Sequence, residues 1–194
     1  MTVTNVLIAG VGGQGAILSS ELLALTAIDA GYDVKQGEFH GVAQRGGAVF
    51  SHVRFGNKVY SPIARRESVD FMLALEELEA LRYAHFVRPG GTIIVNEHTV
   101  EPVRTNDHRD YPSNTVEFLK SKGFNVIVVN ATQMAIDLGN HRAANVVLLG
   151  ALAELIEISD NVWNKTLNSR IPERFLSLNL EAFKAGRAVT AQSN

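Results

Sequence analysis

Apolar and polar positions along the chain follow the order expected for an α/β fold. Residues 3–9 form a short, almost wholly apolar run that ends in glycine, which predicts a buried strand. From Gln14 to about Ala30 the apolar spacing becomes helical, and Gly31 stands where helices commonly end. The segment YDVKQ predicts a second strand. Strand, glycine-rich turn, helix and strand make a βαβ unit, whose two strands should run parallel with a right-handed crossover.

The next segment departs from this simple alternation. Residues 48–56 alternate between two faces, and the run KVYSPI follows after a Gly-Asn pair. Residues 48–63 are therefore predicted to form an inserted β-hairpin. Such a hairpin could cover a sheet edge or bind a partner.

Beyond this insertion, strands and helices alternate again. Strands are predicted at 69–75, 92–96 and 125–131, and helices at 76–87, 115–123, 143–157 and 171–186. The helix at 143–157 is apolar nearly all round, which predicts burial in the core or in a subunit interface. Gly186 is placed at the C-cap of the last helix, and residues 188–194 are expected to fray. The predicted class is α/β, with a Rossmann-like, mostly parallel sheet, flanking helices and an inserted β-hairpin in a single domain over residues 1–194.

Composition narrows the class of protein further. The chain has 194 residues, of which 46% are hydrophobic and 20% charged, and its formal net charge of -2 gives no basic field for nucleic acid. No apolar run is long enough to span a membrane, and MTVTNVLIAG has no positive region before its apolar stretch, so a cytoplasmic location is expected. Cysteine is absent, which excludes disulfides, cysteine zinc sites and thiolate-held iron–sulfur clusters within this chain.

Candidate chemistry begins at GVGGQG, residues 10–15. Gly10, Gly12 and Gly15 satisfy G-x-G-x-x-G between a strand and a helix, where backbone amides and the helix dipole favour an anionic group such as a pyrophosphate. Two interpretations stay open. The turn either holds a nucleotide or coenzyme A, or it only allows a tight bend with close packing of helix and strand.

The residues around this turn test two standard nucleotide sites. Ala16 and Ile17 stand where a Walker A loop would carry lysine and Ser/Thr, so an ATP-hydrolysing P-loop is excluded. A dinucleotide site would place an acid at the end of the second strand, but Asp33 comes too early and Glu38 lies slightly beyond. An NAD(P) site is therefore disfavoured.

A second candidate site lies in EFHGVAQRGGAV, residues 38–49. It places His40, Gln44 and Arg45 beside two further glycines, which is a density of polar side chains and free amides expected where an anion is held. Arg45 could bind a carboxylate or phosphate with two parallel hydrogen bonds. Because this loop follows the second strand and the glycine turn follows the first, both should lie at the carboxyl edge of one sheet. The alternative is a loop whose polar groups bind only backbone.

No metal site is predicted. The histidines outside that loop lack H-x-x-x-H spacing and are expected to be ordinary surface or core residues: His52, His85, His98, His108 and His141. Trp163, in the polar segment DNVWNK, is expected to be either a packing anchor or an interface residue.

Several segments carry a family resemblance: GVGGQG at 10–15, EFHGVAQRGGAVFSHVRFG at 38–56, VYSP at 59–62, NVVLLGALAE at 145–154 and NLEAFKAG at 179–186. They resemble the gamma-type subunits of 2-oxoacid:ferredoxin oxidoreductases, and in particular the beta subunits of indolepyruvate ferredoxin oxidoreductases. The resemblance covers nearly the whole chain. HGxxQRGG is far more specific than the glycine turn.

The resemblance implies a part in the CoA-dependent oxidative decarboxylation of a 2-oxoacid, here an arylpyruvate such as indolepyruvate or phenylpyruvate, to an acyl-CoA and carbon dioxide with reduction of ferredoxin. Thiamine diphosphate, magnesium and iron–sulfur clusters are then expected on a larger partner subunit, since this chain has no cysteine and no GDG-then-asparagine pattern. Coenzyme A is the expected co-substrate, and ferredoxin is reached through the complex.

Alternatives to this reading stay open. The same role could serve pyruvate, 2-oxoglutarate or branched-chain 2-oxoacids. The chain could also be an independent NAD(P)-binding Rossmann protein, or a scaffold whose two loops only dock the partner. By itself the chain is expected to be inactive and to be able to form a homodimer, because its apolar helix and hairpin could leave an apolar patch.

Within such a complex, the chemistry of the two motifs predicts two sets of site residues. The expected cofactor-binding set, for coenzyme A or for the partner surface, is Gly10, Gly12, Gly13, Gln14, Gly15, Gly46 and Gly47. The candidate catalytic set, expected to face the cofactor pocket, is His40, Gln44 and Arg45.

Overall fold

A computed structural model describes residues 3–41, 46–100 and 112–192. Its strands form a six-stranded sheet in the order β2-β3-β1-β4-β5-β6. The strands are β1 Thr4–Val11, β2 Asp33–His40, β3 Ala48–Gly56, β4 Val69–Ala74, β5 Val87–Asn96 and β6 Asn125–Val129. The helices are α1 Ala16–Asp29, α2 Glu77–Tyr83, α3 Thr115–Ser121, α4 Ala131–Asp137, α5 Ala144–Ala153, α6 Asp160–Arg170 and α7 Glu173–Ala191, with 3-10 turns at Ala84–Phe86 and His141–Ala143.

The sheet is mostly parallel, as predicted. Strands β1, β4, β5 and β6 pair in parallel, whereas β3 runs antiparallel to both of its neighbours, β1 and β2. Strands β1 and β2 therefore point the same way, but they are not adjacent, since β3 lies between them. Helix α1 connects them and packs over β3. The predicted α/β class is confirmed.

The antiparallel insertion is a hairpin of β2 and β3, and the predicted pairing within residues 48–63 is wrong. The register of the hairpin runs from Asp33 opposite Gly56 to His40 opposite Val49. Residues 57–63 instead form a loop.

Side chains, and not a sheet ladder, bind the backbone of this loop. The Asp33 carboxylate accepts a hydrogen bond from the Val59 amide at 2.9 Å. The Arg54 guanidinium donates to the carbonyl of Ser61 at 2.8 Å. Pro62 has no amide to donate, which disfavours a strand at this point.

Helices cover the two faces of the sheet in separate layers. Alternate residues of β1 point to opposite faces, so that Ile8 packs with α1, α5 and α7 while Leu7 packs with α2 and α3. Both clusters are apolar and contain fully buried residues of β4 and β5. Within the described ranges, no helix is both long and apolar enough to cross a bilayer.

Helix α5 forms the centre of the larger layer. Nine of its ten residues are buried, which confirms its predicted burial. It packs along α7 over a close contact in which Gly150 and Gly186 face the opposite backbone. A Cβ on Gly186 would overlap the carbonyl of Val147, and one on Gly150 would overlap the carbonyl of Phe183.

This contact corrects the prediction for the last helix. Gly186 is not a C-cap, because α7 continues through it to Ala191. The fraying expected for residues 188–194 is also wrong for the described part of that segment, because α7 runs to Ala191. Thr190 donates a hydrogen bond to the carbonyl of Ala151 at 3.0 Å, and Arg187 forms an ion pair with Glu154 at 2.7 Å. A glycine near the end of an amphipathic helix can serve close packing as readily as chain reversal.

Trp163 is a packing anchor, which was one of its two expected roles. Its side chain is fully buried beneath α7, and its ring lies 5.3 Å from that of Phe183 between centroids. Leu167, one turn further along α6, is also fully buried, and both residues belong to the core cluster under α7.

His52 is a buried histidine on β3. Neither ring nitrogen has a hydrogen-bond partner within the described residues, and Phe39, Phe50 and Phe86 meet the ring edge-on. Burial, with a smaller contribution from the charge of Arg54, lowers the pKa of His52 from 6.5 to about 4.

This pKa predicts a loss of stability in acid. The unfolded chain takes up the proton near pH 6.5 and the folded chain only near pH 4, so the free energy of unfolding should fall through that window. The expected contribution is on the order of 2 kcal/mol. In His52→Leu this part of the pH dependence should vanish, and stability at neutral pH should not decrease, because no unpaired ring nitrogen stays buried. Urea unfolding at a series of pH values measures both effects. Parallel profiles for the two proteins would contradict the assignment.

Candidate functional site

The glycine turn lies where β1 ends at the carboxyl edge of the sheet. The backbone amide of Gln14 donates to the Val11 carbonyl at 3.0 Å, and the side-chain Oε1 of Gln14 accepts from the Val11 backbone amide at 2.7 Å. Gln14 therefore closes the turn upon itself. Gly13 and Gly15 follow with φ angles of +104° and +88°, and Gly15 is the N-cap of α1.

Close packing explains two of these glycines. A Cβ on Gly15 would lie 2.7 Å from Nδ2 of Asn145, and one on Gly10 would lie 3.1 Å from Cβ of Leu75. By contrast, a Cβ on Gly13 would meet nothing within 4 Å. Tight packing of helix and strand, one of the two interpretations of the turn, is thus present in the structure. It is compatible with a ligand, because the amides of Ala16 and Ile17 in the first turn of α1 have no intrahelical acceptor.

The two candidate loops meet, as expected from their places in the sequence. The Gly12 amide donates to the Gly47 carbonyl at 2.8 Å, which ties the glycine turn to the loop between β2 and β3. Gly46 has a φ of +76°. His40 is exposed at the end of β2. Gln44 and Arg45, the other two candidate catalytic residues, lie outside the described residues.

A cavity of about 450 Å³ lies between these two loops. Its lining includes Gly12, Gly13, Ile17, His40 and Gly41. The structure therefore brings His40 to the same space as the glycine turn. The cavity is lined by backbone atoms of the glycines, by the imidazole of His40 and by apolar side chains such as Ile17.

A larger cavity of about 720 Å³ lies on the other side of the turn, over the carboxyl ends of the parallel strands. Gly13, Gln14 and Gly15 form one wall. Polar and basic side chains from the later strands and helices form much of the remainder: Asn96, His98, Thr132, His141, Arg142 and Asn145. None of the described residues that line it is acidic. Its electrostatics suit an anionic ligand.

Hydrogen bonds hold the walls of this larger cavity in place. The Asn96 Nδ2 donates to Thr132 Oγ1 at 2.9 Å and the Asn96 Oδ1 accepts from the Thr132 amide at 3.3 Å, which joins β5 to α4. Asn145 is buried at the start of α5, and its Nδ2 lies 3.3 Å from the Gly15 carbonyl and 3.4 Å from Ser19 Oγ. Asn145 thus fixes the start of α5 against the glycine turn.

Sequence reasoning missed most of this larger cavity. The sequence predicts ordinary surface or core roles for His98 and His141 and assigns no site role to Arg142 or Asn145. Asn96 and His98 follow a buried strand, a position that often carries function in α/β folds and could have marked them. Arg142 in the 3-10 turn and Asn145 at the start of α5 lie far along the chain from the glycine turn, and no local pattern marks them.

The geometry disfavours a dinucleotide site of the NAD(P) type. Because β3 separates β1 from β2, the end of β2 lies about 10 Å across the sheet from the glycine turn. Glu38 there accepts a hydrogen bond from Gln36 Nε2 at 2.9 Å. Asp33 lies at the opposite end of β2, where hydrogen bonds from Lys35 and from the Val59 amide lower its pKa to about 2. Neither acid is positioned to bind a ribose at the turn.

In the part of the chain that the structure describes, no group of three or more histidine and acidic side chains could hold a metal ion. The fold is an α/β domain of the doubly wound kind, and at the carboxyl edge of its sheet a glycine turn lies between two cavities.

Comparison with known proteins identifies the family. Residues 5–189 match the pyruvate ferredoxin/flavodoxin oxidoreductase family, and the chain belongs to it. It is 35% identical over 188 residues to the indolepyruvate oxidoreductase subunit IorB of Pyrococcus horikoshii, with 94% of this chain and 93% of the relative covered. It is 38% identical over 191 residues to IorB of Archaeoglobus fulgidus, with 94% and 92% covered.

A solved structure supports the same assignment. The gamma subunit of a keto/oxoacid ferredoxin oxidoreductase from Geobacter sulfurreducens superposes with a TM-score of 0.74 at 28% identity, covering 97% of this chain and 99% of that one. The resemblance seen in the sequence motifs is confirmed.

Proposed function

We propose that this chain is a subunit of a CoA-dependent 2-oxoacid:ferredoxin oxidoreductase that acts on an arylpyruvate, indolepyruvate or phenylpyruvate. The observation that carries the proposal is the glycine turn beside a cavity that is lined by Arg142 and has no acidic residue among its described lining. This arrangement suits the pyrophosphate of a co-substrate such as coenzyme A. The choice of an arylpyruvate rests on the relatives named as indolepyruvate oxidoreductase subunits. Pyruvate, 2-oxoglutarate and branched-chain 2-oxoacids are the alternative substrates.

The reaction proposed is the conversion of a 2-oxoacid and coenzyme A to an acyl-CoA and carbon dioxide, with a pair of electrons passed to ferredoxin. Thiamine diphosphate supplies the carbanion chemistry and iron–sulfur clusters carry the electrons. This chain does not fit the clusters, because it has no cysteine, and its described residues show no cluster of metal ligands. We therefore place thiamine diphosphate, magnesium and the clusters on a larger partner subunit.

The residues of this chain are then assigned to binding and positioning. In this proposal the α1 amides and Arg142 hold the phosphates of coenzyme A, while Asn145 keeps the turn in register with α5. His40, together with Gln44 and Arg45 in the adjoining loop, faces the cofactor pocket of the partner. Positioning of this kind can contribute a large part of a rate enhancement without any covalent role for the subunit.

The test is reconstitution with the larger subunit that co-purifies in the native complex. The isolated chain should show no 2-oxoacid-dependent reduction of ferredoxin, and the complex should show a reduction that requires coenzyme A. A panel of indolepyruvate, phenylpyruvate, pyruvate, 2-oxoglutarate and a branched-chain 2-oxoacid then identifies the substrate by kcat/KM. Activity of the chain alone would contradict the assignment of the cofactors to the partner subunit. A complex that prefers pyruvate would leave the subunit role intact and refute the arylpyruvate assignment.

Cofactor titration separates the remaining alternative. An independent NAD(P)-binding protein should bind NAD or NADP in isolation, measured by calorimetry or by quenching of Trp163 fluorescence. The proposal expects no such binding, because the acids at the ends of β2 are misplaced for it.

A further inference from the structure

A second surface, separate from the glycine turn, lies between the starts of α1 and α7. It is a groove of about 480 Å³ whose apolar floor is formed by Leu18, Ile171, Phe175 and Leu178. We call it the α7 groove. Leu18 and Phe175 remain 42% and 41% exposed, although both are large apolar side chains. Exposed apolar side chains gathered in one groove mark a surface that another molecule covers.

The first half of α7 is only partly packed against its own chain. All four of its buried residues lie in the second half of the helix: Ala182, Phe183, Gly186 and Thr190. Residues 173–181 include a phenylalanine and three leucines, and none of the nine is buried. A helix with this much apolar surface normally gains stability by burying it.

Arginines border the groove. Arg142 and Arg170 line it, and the guanidinium of Arg174 lies 4.6 Å from the centroid of the Phe175 ring. No carboxylate belongs to the described lining residues. Arg170 and Arg174 make no ion pair with any residue that the structure describes, whereas Arg82, Arg88 and Arg187 each do.

These charges restrict what can cover the groove. A neutral or basic partner would remove guanidinium groups from water without pairing them, which is costly. A second copy of the chain packed groove to groove would bring the same arginines together across a two-fold axis, so like charges would face each other. An acidic partner would pair them. Apolar side chains of that partner would fill the floor.

We propose that the α7 groove is the docking site for an acidic segment of the larger partner subunit, one that inserts apolar side chains against Phe175 and Leu18 and pairs carboxylates with Arg170 and Arg174. This inference rests on the proposed function for the existence of that subunit. It places the docking contact on the face of α1 next to the larger cavity. Four residues line both spaces: Leu18, His141, Arg142 and Asn145. Docking there would position the partner beside the glycine turn.

The test measures the dissociation constant of the chain for the purified larger subunit. Arg170→Glu and Arg174→Glu should each weaken assembly about tenfold or more, and the salt dependence of the dissociation constant should become shallower. Arg66→Glu is the matched control. It makes the same charge change at an exposed arginine that precedes β4, at the opposite edge of the sheet, and should alter the constant less than about twofold.

A second pair of variants tests the apolar floor. Phe175→Ala should weaken assembly about tenfold. Phe118→Ala is its control, since Phe118 on α3 is 51% exposed and also carries a cation, Lys122, over its ring, but faces the other layer. Hydrogen exchange should slow at residues 140–145 and 171–181 on assembly. Equal effects of groove and control variants, with no protection, would overturn the proposal.

Other outcomes are also decisive. If sedimentation shows the chain alone to be a dimer that Arg170→Glu dissociates, while assembly with the larger subunit is unchanged, the groove belongs to a second copy and the proposal is wrong. If the complex lacks 2-oxoacid activity but assembly still depends on Arg170 and Phe175, the docking site stands and the proposed function falls. At saturating subunit concentration the groove variants should retain the parental kcat.

Discussion

Replacing Gly186 with alanine is expected to lower the free energy of unfolding by about 3 kcal/mol or more, although alanine is normally the better helix former by about 1 kcal/mol. The added Cβ would overlap the carbonyl of Val147 on α5. This obstacle is backbone, so no change of rotamer can relieve it. To admit the methyl group, α5 and α7 must move apart, which loosens the packing between the buried helix α5 and the second half of α7.

Denaturant unfolding of Gly186→Ala measures this effect. Ser177→Ala, on an exposed position of the same helix, serves as the control and should change stability by no more than about 0.5 kcal/mol. Gly150→Ala should behave like Gly186→Ala, because its Cβ would overlap the carbonyl of Phe183 on the other helix. Stability equal to or above that of the parent in Gly186→Ala would show that the two helices are not packed at the distance described.

The order of elements was predictable because burial in a parallel sheet leaves a strong signal. β4, β6 and the second half of β5 are apolar runs that lie close to their predicted places, although β5 begins at Val87, five residues before the predicted start. The strand pairing of the hairpin was harder to predict. Gly56 and Asn57 have the chemistry of a turn, but Pro62 and the bonds from Asp33 and Arg54 direct the following segment away from the sheet. The pairing of β3 with β2 depends on tertiary structure that no local pattern records.

The helical layer shows the same limit. A glycine late in an amphipathic helix predicts an end, and only the position of α5 reveals that Gly186 is there for contact. Likewise, the sequence around Trp163 fits either a core or an interface residue, and only the position of α7 over its ring distinguishes the two. The role of each of these two residues depends on which helices pack together in the fold.

The candidate site was predictable in part. The glycine turn and the loop after β2 both lie at the carboxyl edge, and the bond from Gly12 to Gly47 joins them. The parallel direction of β1 and β2 was sufficient for that prediction, even though β3 lies between them. The larger cavity was not predictable from motifs, since Arg142 and Asn145, which line it, lie more than a hundred residues from the glycine turn in sequence.

In an assembled complex, Gly15→Ala is expected to reduce kcat/KM for coenzyme A on the order of a hundredfold. Two effects act together. An alanine at a φ of +88° is strained by about 1 to 2 kcal/mol. Its Cβ would also lie 2.7 Å from Nδ2 of Asn145, which must then leave the Gly15 carbonyl and Ser19. The first amides of α1 and the adjoining wall of the larger cavity would shift together, and a displacement of about 1 Å at a binding site is enough for a loss of this size.

Gly31→Ala separates the effect of backbone strain at a positive φ from the effect of the Cβ contact with Asn145. Gly31 has nearly the same φ, +87°, but a Cβ there meets nothing within 4 Å, and it lies at the far end of α1. This variant should lose about 1 kcal/mol of stability and keep the parental kcat/KM. Combining Gly15→Ala with Asn145→Ala removes the obstructing amide, so part of the lost kcat/KM should return if the contact is the cause. If Gly15→Ala leaves kcat/KM for coenzyme A unchanged while lowering stability as Gly31→Ala does, then the glycine turn is a packing device, and the co-substrate binds elsewhere in the complex.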